Sequence, residues 1–214
     1  MMSIYPIMLN LENKHCVVVG GGTVATRKIM SLLQAKANVT VVSPECSAEI
    51  KVWSKANQLY LKEKEFENGD VENAFLVIAA TNSTKINKHV YEAVSSQQLI
   101  NIVDQPELCN FIVPTVLNRG KLSIAISTSG GSPSLAQKIK HDLEKAYDHS
   151  YEQYIDFLDE TRKEIIAKID DSNLKYILLK HLLDPIYLDL TRQGKYSERR
   201  KYFEDYVRKE GYSL

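Results

Sequence analysis

Residues 15–36, HCVVVGGGTVATRKIMSLLQAK, decide the fold. Cys16-Val17-Val18-Val19 is short, apolar and β-branched, the composition of a strand buried on both faces. Gly20-Gly21-Gly22 follows without a break. Beyond it Val24, Ala25, Ile29, Leu32 and Leu33 recur at helical spacing. Strand, glycine turn and helix form the setting that a dinucleotide-binding G-x-G-x-x-G/A motif requires, and the match is Gly20-x-Gly22-x-x-Ala25. Gly20 suits the tight turn, Gly22 admits a pyrophosphate to the backbone, and small Ala25 lets helix and strand pack closely. The first helical amides, at Thr23 and Val24, then present the positive end of the helix dipole to an anion. The plainer alternative is a βα turn that merely needs glycine, although three in a row exceed that need.

Working outward, Val39-Thr40-Val41-Val42 reads as a second strand, ended by Ser43-Pro44. Dinucleotide folds usually place Asp or Glu here, about 20 residues past the glycines, to bind a ribose hydroxyl. Ser43 stands there instead, and its hydroxyl can bond a ribose with weaker discrimination. Arg27 and Lys28 on the first helix either approach a 2′-phosphate or form a solvated face, so NAD is expected in preference to NADP. Residues 47–56 read as a helix, Leu59-Tyr60-Leu61 as a third strand, and residues 62–73 as a charged, turn-rich surface segment. Residues 75–79 form a fourth buried strand. Thr81 and Asn82 follow at its carboxyl end, where open α/β sheets bind ligands. Residues 84–96 are expected as a helix with Ile86, Val90 and Val94 inward. Residues 99–103 form a fifth strand, with Asp104 at its carboxyl end. A carboxylate there can be partly desolvated and poised for proton transfer. Asp104-Gln105-Pro106-Glu107 is also ordinary turn chemistry, the plainer of the two readings on the residues alone.

After residue 110 the βα alternation stops. Phe111-Ile112-Val113 and Leu122-Ser123-Ile124-Ala125-Ile126 are strand-like runs, with a turn at Asn118-Arg119-Gly120 between them. Ser127-Thr128-Ser129-Gly130-Gly131-Ser132 leads into a helix over 133–147, with Ser132 as N-cap and Pro133 at the first helical position. Hydroxyls, glycines and a helix amino end make either a second anion site or an ordinary capped helix. Residues 150–214 are helical and polar: one amphipathic helix to about 169, a second around 174–182 broken by Asp184-Pro185, and a last one over 197–209. The expected architecture is α/β: a Rossmann-type parallel-sheet domain over 1–113, a small module over 114–149 and a helical domain over 150–214.

Lys plus Arg and Asp plus Glu both number 27, so net charge is zero and a general nucleic-acid or membrane-surface role has no electrostatic support. Cys16, Cys46 and Cys109 are odd in number and lack a C-x-x-C, which suits a reducing compartment. The first ten residues carry no basic, apolar leader pattern and no apolar run is long enough to span a bilayer, so a cytoplasmic location is expected. His15, His89, His141, His149 and His181 make no H-x-x-H or H-E-x-x-H, and no resident metal is expected. Cys109 has no apparent base and reads as a small buried residue. With no G-x-S-x-G and no P-loop lysine, hydrolase and NTPase readings fail.

VVVGGGTVATRK (17–28), AAT (79–81), NIVDQPELCNFIVP (101–114) and AISTSGGSPSLAQ (125–137) together resemble the precorrin-2 dehydrogenase family of siroheme biosynthesis. That family includes stand-alone bacterial dehydrogenases and the amino-terminal module of the fused siroheme synthase. The specific part is the N-x-V-D-x-P stretch followed by the serine–glycine loop; the glycine motif is shared by many families. The resemblance implies NAD-dependent oxidation of precorrin-2 to sirohydrochlorin, a dimerisation module over 114–149 and an interlocked homodimer. By position it implies pyrophosphate contacts at Gly22 and Thr23, adenosine-ribose contacts at Ser43 and Pro44, and Asp104 as the acid/base group. Ser127, Thr128 and Ser129 would border the tetrapyrrole, whose carboxylates need local partners such as Arg119, the amides near Ser132 or lysines of the helix from Pro133. In some members a serine of this loop is phosphorylated; Thr128 stands at that position. Some members also insert iron into sirohydrochlorin, which leaves a bifunctional dehydrogenase and ferrochelatase as an alternative. A non-enzymatic NAD(H)-binding redox sensor is an alternative of another class, and Asp104 and the serine–glycine loop speak against it. A dehydrogenase for another small acid is a third.

Overall fold

The computed structural model describes residues 4–212. Five strands, β1 (His15–Val19), β2 (Asn38–Val42), β3 (Tyr60–Lys62), β4 (Leu76–Ala79) and β5 (Leu99–Ile102), form one parallel sheet in the order β3-β2-β1-β4-β5. The helices α1 (Thr23–Gln34), α2 (Ala48–Lys55) and α3 (Thr84–Ala93) lie in the crossovers that parallel pairing demands. Strand side chains alternate between faces. Cys16, Val18, Val39 and Val41 pack with Ala25, Ile29 and Ile50 on one side. Val17, Val19, Val77 and Ala79 pack with Val90 and Cys109 on the other. Both faces are therefore covered, which is why these strands read as continuous apolar runs. The Rossmann-type sheet expected from residues 15–36 is present.

Several expectations need correction. β3 begins and ends one residue later than read. α3 ends at Ala93, short of residue 96. Beyond it the Gln98 side chain accepts from Ser95 N at 2.8 Å and donates to Val71 O and Ala74 O, which turns the chain out of the helix. Ile86, expected inward, is 39% exposed, and its neighbour Asn87 is fully buried. A buried amide holds that place because its hydrogen bonds are all met, as described below.

A second compact unit begins at Pro114. Its hairpin pairs β6 (Thr115–Arg119) with β7 (Leu122–Ile126), antiparallel, across a two-residue turn at Gly120-Lys121 with Gly120 at φ +56°. Residues 111–113 are thus not the first strand of this pair. Pro114 interrupts them, having no N–H for a ladder, and the β-branched Thr115-Val116 carries the pairing instead. α4 (Pro133–Ala146) starts as read, with Ser132 Oγ accepting from Leu135 N at 3.2 Å. α5 (Ser150–Lys168), α6 (Ser172–His181), α7 (Pro185–Arg192) and α8 (Tyr196–Lys209) close around Phe157, Ile165, Leu178, Tyr187 and Phe203. Asp184-Pro185 does more than break the helical run. It also starts α7: Asp184 Oδ1 accepts from Ile186 N at 3.0 Å, and Pro185 takes the first turn, where a missing N–H costs nothing. Among the described residues no helix is long and apolar enough to cross a membrane.

Candidate cofactor and active site

Register places the site. Lys62, Val42, Val19, Ala79 and Ile102 are successive partners in one row across the sheet. The chain leaves every strand at this edge, so Ser43, Gly20, Ala80 and Val103 come next, then Pro44, Gly21, Thr81 and Asp104. Connections turn one way from β1 through β3 and the other way through β4 and β5, which makes the β1/β4 boundary the switch point where open sheets bind ligands. Gly20 stands there at φ +122°, and a Cβ on it would lie 2.3 Å from Ala80 O. A Cβ on Gly21 would lie 2.1 Å from Glu45 O, and Gly21 O accepts from Ser47 N at 2.9 Å. Gly22 differs: a Cβ there would meet nothing within 4 Å. It caps α1 with no side-chain hydrogen bond and no acidic residue in the first turn, so the exposed start at Thr23 and Val24 keeps unpaired amides for an anion.

Beside this turn lies a cleft of about 330 Å³ lined by Gly20, Ser43, Pro44 and Thr81 together with Glu65, Phe66, Ile86 and His89. Phe66 and His89 meet edge to face at 5.2 Å. Ser43 is buried and its Oγ donates to Glu45 O at 2.7 Å. Its hydroxyl hydrogen is thus committed, and toward a ribose it can only accept. Asn82 is exposed. The open approach at Gly22, the unblocked helix start and the cleft beside them fit a dinucleotide.

Asp104 closes the other side of the switch point. Its Oδ2 accepts from Thr84 Oγ1 at 2.9 Å and its Oδ1 from Asn87 Nδ2 at 2.8 Å. Partial burial pushes its carboxyl up, but these hydrogen bonds outweigh it and hold the group below the usual carboxylate range. Asp104 is exposed, ionised at neutral pH and fixed at both oxygens. Cys109 anchors the turn that carries it: Ile102 N donates to Cys109 Sγ at 3.1 Å. Burial pushes that thiol up, so it stays neutral.

The remaining candidates belong to the second unit. Ser127 Oγ accepts from Ser129 N at 3.0 Å and Thr128 Oγ1 from Ser132 N at 3.1 Å, so these two hydroxyls shape the loop itself. Arg119 donates to Tyr147 O and Asn118 O, both at 2.9 Å, which orients the guanidinium and uses two of its five N–H groups. Among the described residues no three of His, Cys, Asp and Glu converge as a metal-ligand set. Sequence reasoning missed Gly21, Glu65, Phe66, Thr84 and Asn87. The glycine run was visible but only two of its members had roles, and nothing local distinguishes Asn87 from a surface helix residue.

A parallel sheet whose switch point carries a bare helix start beside a fixed carboxylate defines a nucleotide-dependent oxidoreductase of the Rossmann class. A family described as "Putative NAD(P)-binding" matches residues 7–115, and one described as "Sirohaem biosynthesis protein central" matches residues 119–146. The chain is 40% identical to a precorrin-2 dehydrogenase of Priestia megaterium over 92% of its own length and 98% of that protein's. It is 34% identical to a siroheme synthase of Thioalkalivibrio sulfidiphilus over 95% of its own length, and spans 42% of that larger protein. The solved structure titled SirC, precorrin-2 dehydrogenase, matches with a TM-score of 0.80 at 39% identity, covering 94% of this chain and all of that one. The chain belongs to the precorrin-2 dehydrogenase family.

Proposed function

We propose that this protein oxidises precorrin-2 to sirohydrochlorin with NAD⁺, as the resemblance noted from the sequence implies. The observation that carries the reading is Asp104, held as a two-handed carboxylate two residues past β5, at the edge where Gly20 and Gly22 receive a dinucleotide. NAD⁺ supplies the hydride acceptor; the net change removes a hydride and a proton from the macrocycle. The chain's own groups position and discharge the reaction. Gly22 and the amides of Thr23 and Val24 receive the pyrophosphate. Gly20, Ser43, Pro44, Thr81 and Asn82 line the nucleoside side. Loss of a hydride leaves positive charge on the macrocycle, and a carboxylate that is already ionised and already oriented stabilises it. Asp104 then accepts the released proton. Ser127, Thr128 and Ser129 contact the tetrapyrrole, as the resemblance implies: the Ser127 and Thr128 hydroxyls accept from backbone N–H groups, so each keeps its own hydrogen to donate to a carboxylate.

The cofactor is NAD. Glu65 lines the cleft, while the neighbouring Lys62 and Lys64 are committed to Asp70 and Glu67. Glu65 supplies the negative charge that is missing at Ser43, and it disfavours a 2′-phosphate. We further infer a cytoplasmic homodimer, as the resemblance implies: Leu135 and Ile139, one turn apart on α4, are apolar and exposed, as a face covered by a second copy would be. The test of the reaction is anaerobic. Protein, NAD⁺ and enzymatically made precorrin-2 are mixed, and the spectra of sirohydrochlorin and NADH are followed together. Both should appear in equal amounts. Tight NAD⁺ binding without turnover would move the sensor reading to the front.

A further inference from the structure

Asn87 sits on α3 with no exposed surface. A carboxamide has two donor hydrogens and two acceptor lone pairs, and here all four are used. Oδ1 accepts from Thr81 N at 3.2 Å and from Thr81 Oγ1 at 2.8 Å. Nδ2 donates to Thr81 O at 3.2 Å and to Asp104 Oδ1 at 2.8 Å. The pattern admits one orientation only. A reversed amide would set its NH₂ against the Thr81 N–H and its oxygen against the Asp104 carboxylate.

We propose that Asn87 is a positioning residue that clamps Asp104 to Thr81, joining the cofactor side of the switch point to the reacting carboxylate. Thr81 lies two residues past β4 and Asp104 two residues past β5, and no backbone bond of the sheet reaches either. Asn87 supplies the missing link from a third element. Thr84, one turn earlier on α3, holds the second oxygen of Asp104 at 2.9 Å. The helix therefore fixes the direction of the carboxylate and, together with the Asp104 N–H and Gln105, lowers its carboxyl. Asp104 makes no ion pair among the described residues, so neutral donors hold it: these two, its own N–H and Gln105. The residue type follows from the partners. Aspartate at 87 would face two acceptors with no hydrogen to offer and a like charge on one of them. Leucine would leave Thr81 and Asp104 groups unpaired. Glutamine adds a methylene where there is no exposed surface to receive it. The inference rests on the acid/base role proposed for Asp104.

The test is the titration of the Asp104 carboxyl by carbon-detected NMR in the full ligand-free chain, assigned with Asp104→Asn. Wild type is compared with Asn87→Asp, Asn87→Ser and Thr84→Val, and the pH dependence of kcat is measured on the same proteins. In Asn87→Asp two carboxylates compete for one site, and the upper titration step should rise by at least about one pH unit. The acid limb of kcat should rise with it, a displacement that a merely structural residue would not cause. Asn87→Ser and Thr84→Val each remove one donor and should move the step the same way by less. Both are milder changes, so they decide the matter should Asn87→Asp fail to fold. An Asp104 titration unmoved in these variants overturns the clamp. A displaced titration with Asp104→Asn turning over as wild type instead sinks the role of Asp104, and with it the positioning role.

Discussion

Three consecutive glycines should answer to alanine in two different ways. At Gly20 an alanine must adopt φ +122° with its Cβ 2.3 Å from Ala80 O. Such a backbone costs an L residue about 1–3 kcal/mol. Real Cβ atoms essentially never come within 3.0 Å of another atom, so the end of β4 must also move by about 0.7 Å, at an overpacking cost of about 1–3 kcal/mol. The total, about 2–6 kcal/mol, is a large part of a domain's usual stability of about 5–15 kcal/mol. Gly21→Ala keeps an ordinary φ but drives its Cβ to 2.1 Å from Glu45 O, also backbone, for about 1–3 kcal/mol or more. Gly22→Ala meets nothing within 4 Å and has φ −83°, so stability should stay within about 0.5 kcal/mol. NAD⁺ affinity should fall at least about tenfold there, because the added methyl stands where the pyrophosphate approaches. Trp53 is the only tryptophan and lies on α2, so its fluorescence in urea reports the nucleotide-binding unit. A loss of about 4 kcal/mol moves the midpoint by about 2 M at a typical slope of about 2 kcal/mol per molar. Calorimetry supplies the affinity. Gly22→Ala unfolding as early as Gly20→Ala, or binding NAD⁺ as wild type does, would refute the division of labour.

Other expectations concern charge. Asp70 has a side chain only 3% exposed, with Lys62 Nζ at 2.9 Å and Lys64 Nζ at 3.0 Å. Burial pushes its carboxyl up, but bonds from Lys62, the Glu67 N–H and Lys64 outweigh that and leave it lowered. Its stabilisation is therefore present above the unfolded value of about 3.9 and is lost as pH falls through the depressed native value. Asp70→Asn should cost about 1–3 kcal/mol at pH 7, discounted for the partly exposed lysines, and the gap to wild type should close in urea melts at low pH; a constant gap would contradict it. Glu65→Lys should shift the NADP⁺/NAD⁺ affinity ratio about tenfold toward NADP⁺, worth about 1.4 kcal/mol. An unchanged ratio in competition titrations would remove Glu65 from cofactor choice.

The sheet was legible because its strands are buried on both faces, and such strands announce themselves as apolar runs whatever their neighbours. The turn at Gly20 and the position of Asp104 were legible for a related reason: both follow directly from where a strand ends, although the residues alone left Asp104 as turn chemistry and only the resemblance gave it a reacting role. What stayed hidden depends on distant partners. Gly21 is required by Glu45, which meets it only after β2 has come alongside β1. Asn87 is inward because Thr81 and Asp104 satisfy it, so helical periodicity pointed to Ile86 instead. Asp184-Pro185 stops one helix and caps the next with the same two residues, and the pattern of apolar positions shows only the stop. The hairpin was misplaced because Phe111-Ile112-Val113 has strand composition, while the missing N–H of Pro114 moves pairing onto Thr115.

The most direct measurement compares wild type with Asp104→Ala in an anaerobic single turnover of precorrin-2, alongside NAD⁺ calorimetry on both proteins. The variant should bind NAD⁺ within about threefold of wild type, a difference of about 0.7 kcal/mol, and form sirohydrochlorin at least about a hundredfold more slowly, the loss expected for a positioned proton acceptor. Turnover at the wild-type rate by a folded, NAD⁺-binding Asp104→Ala protein would contradict it.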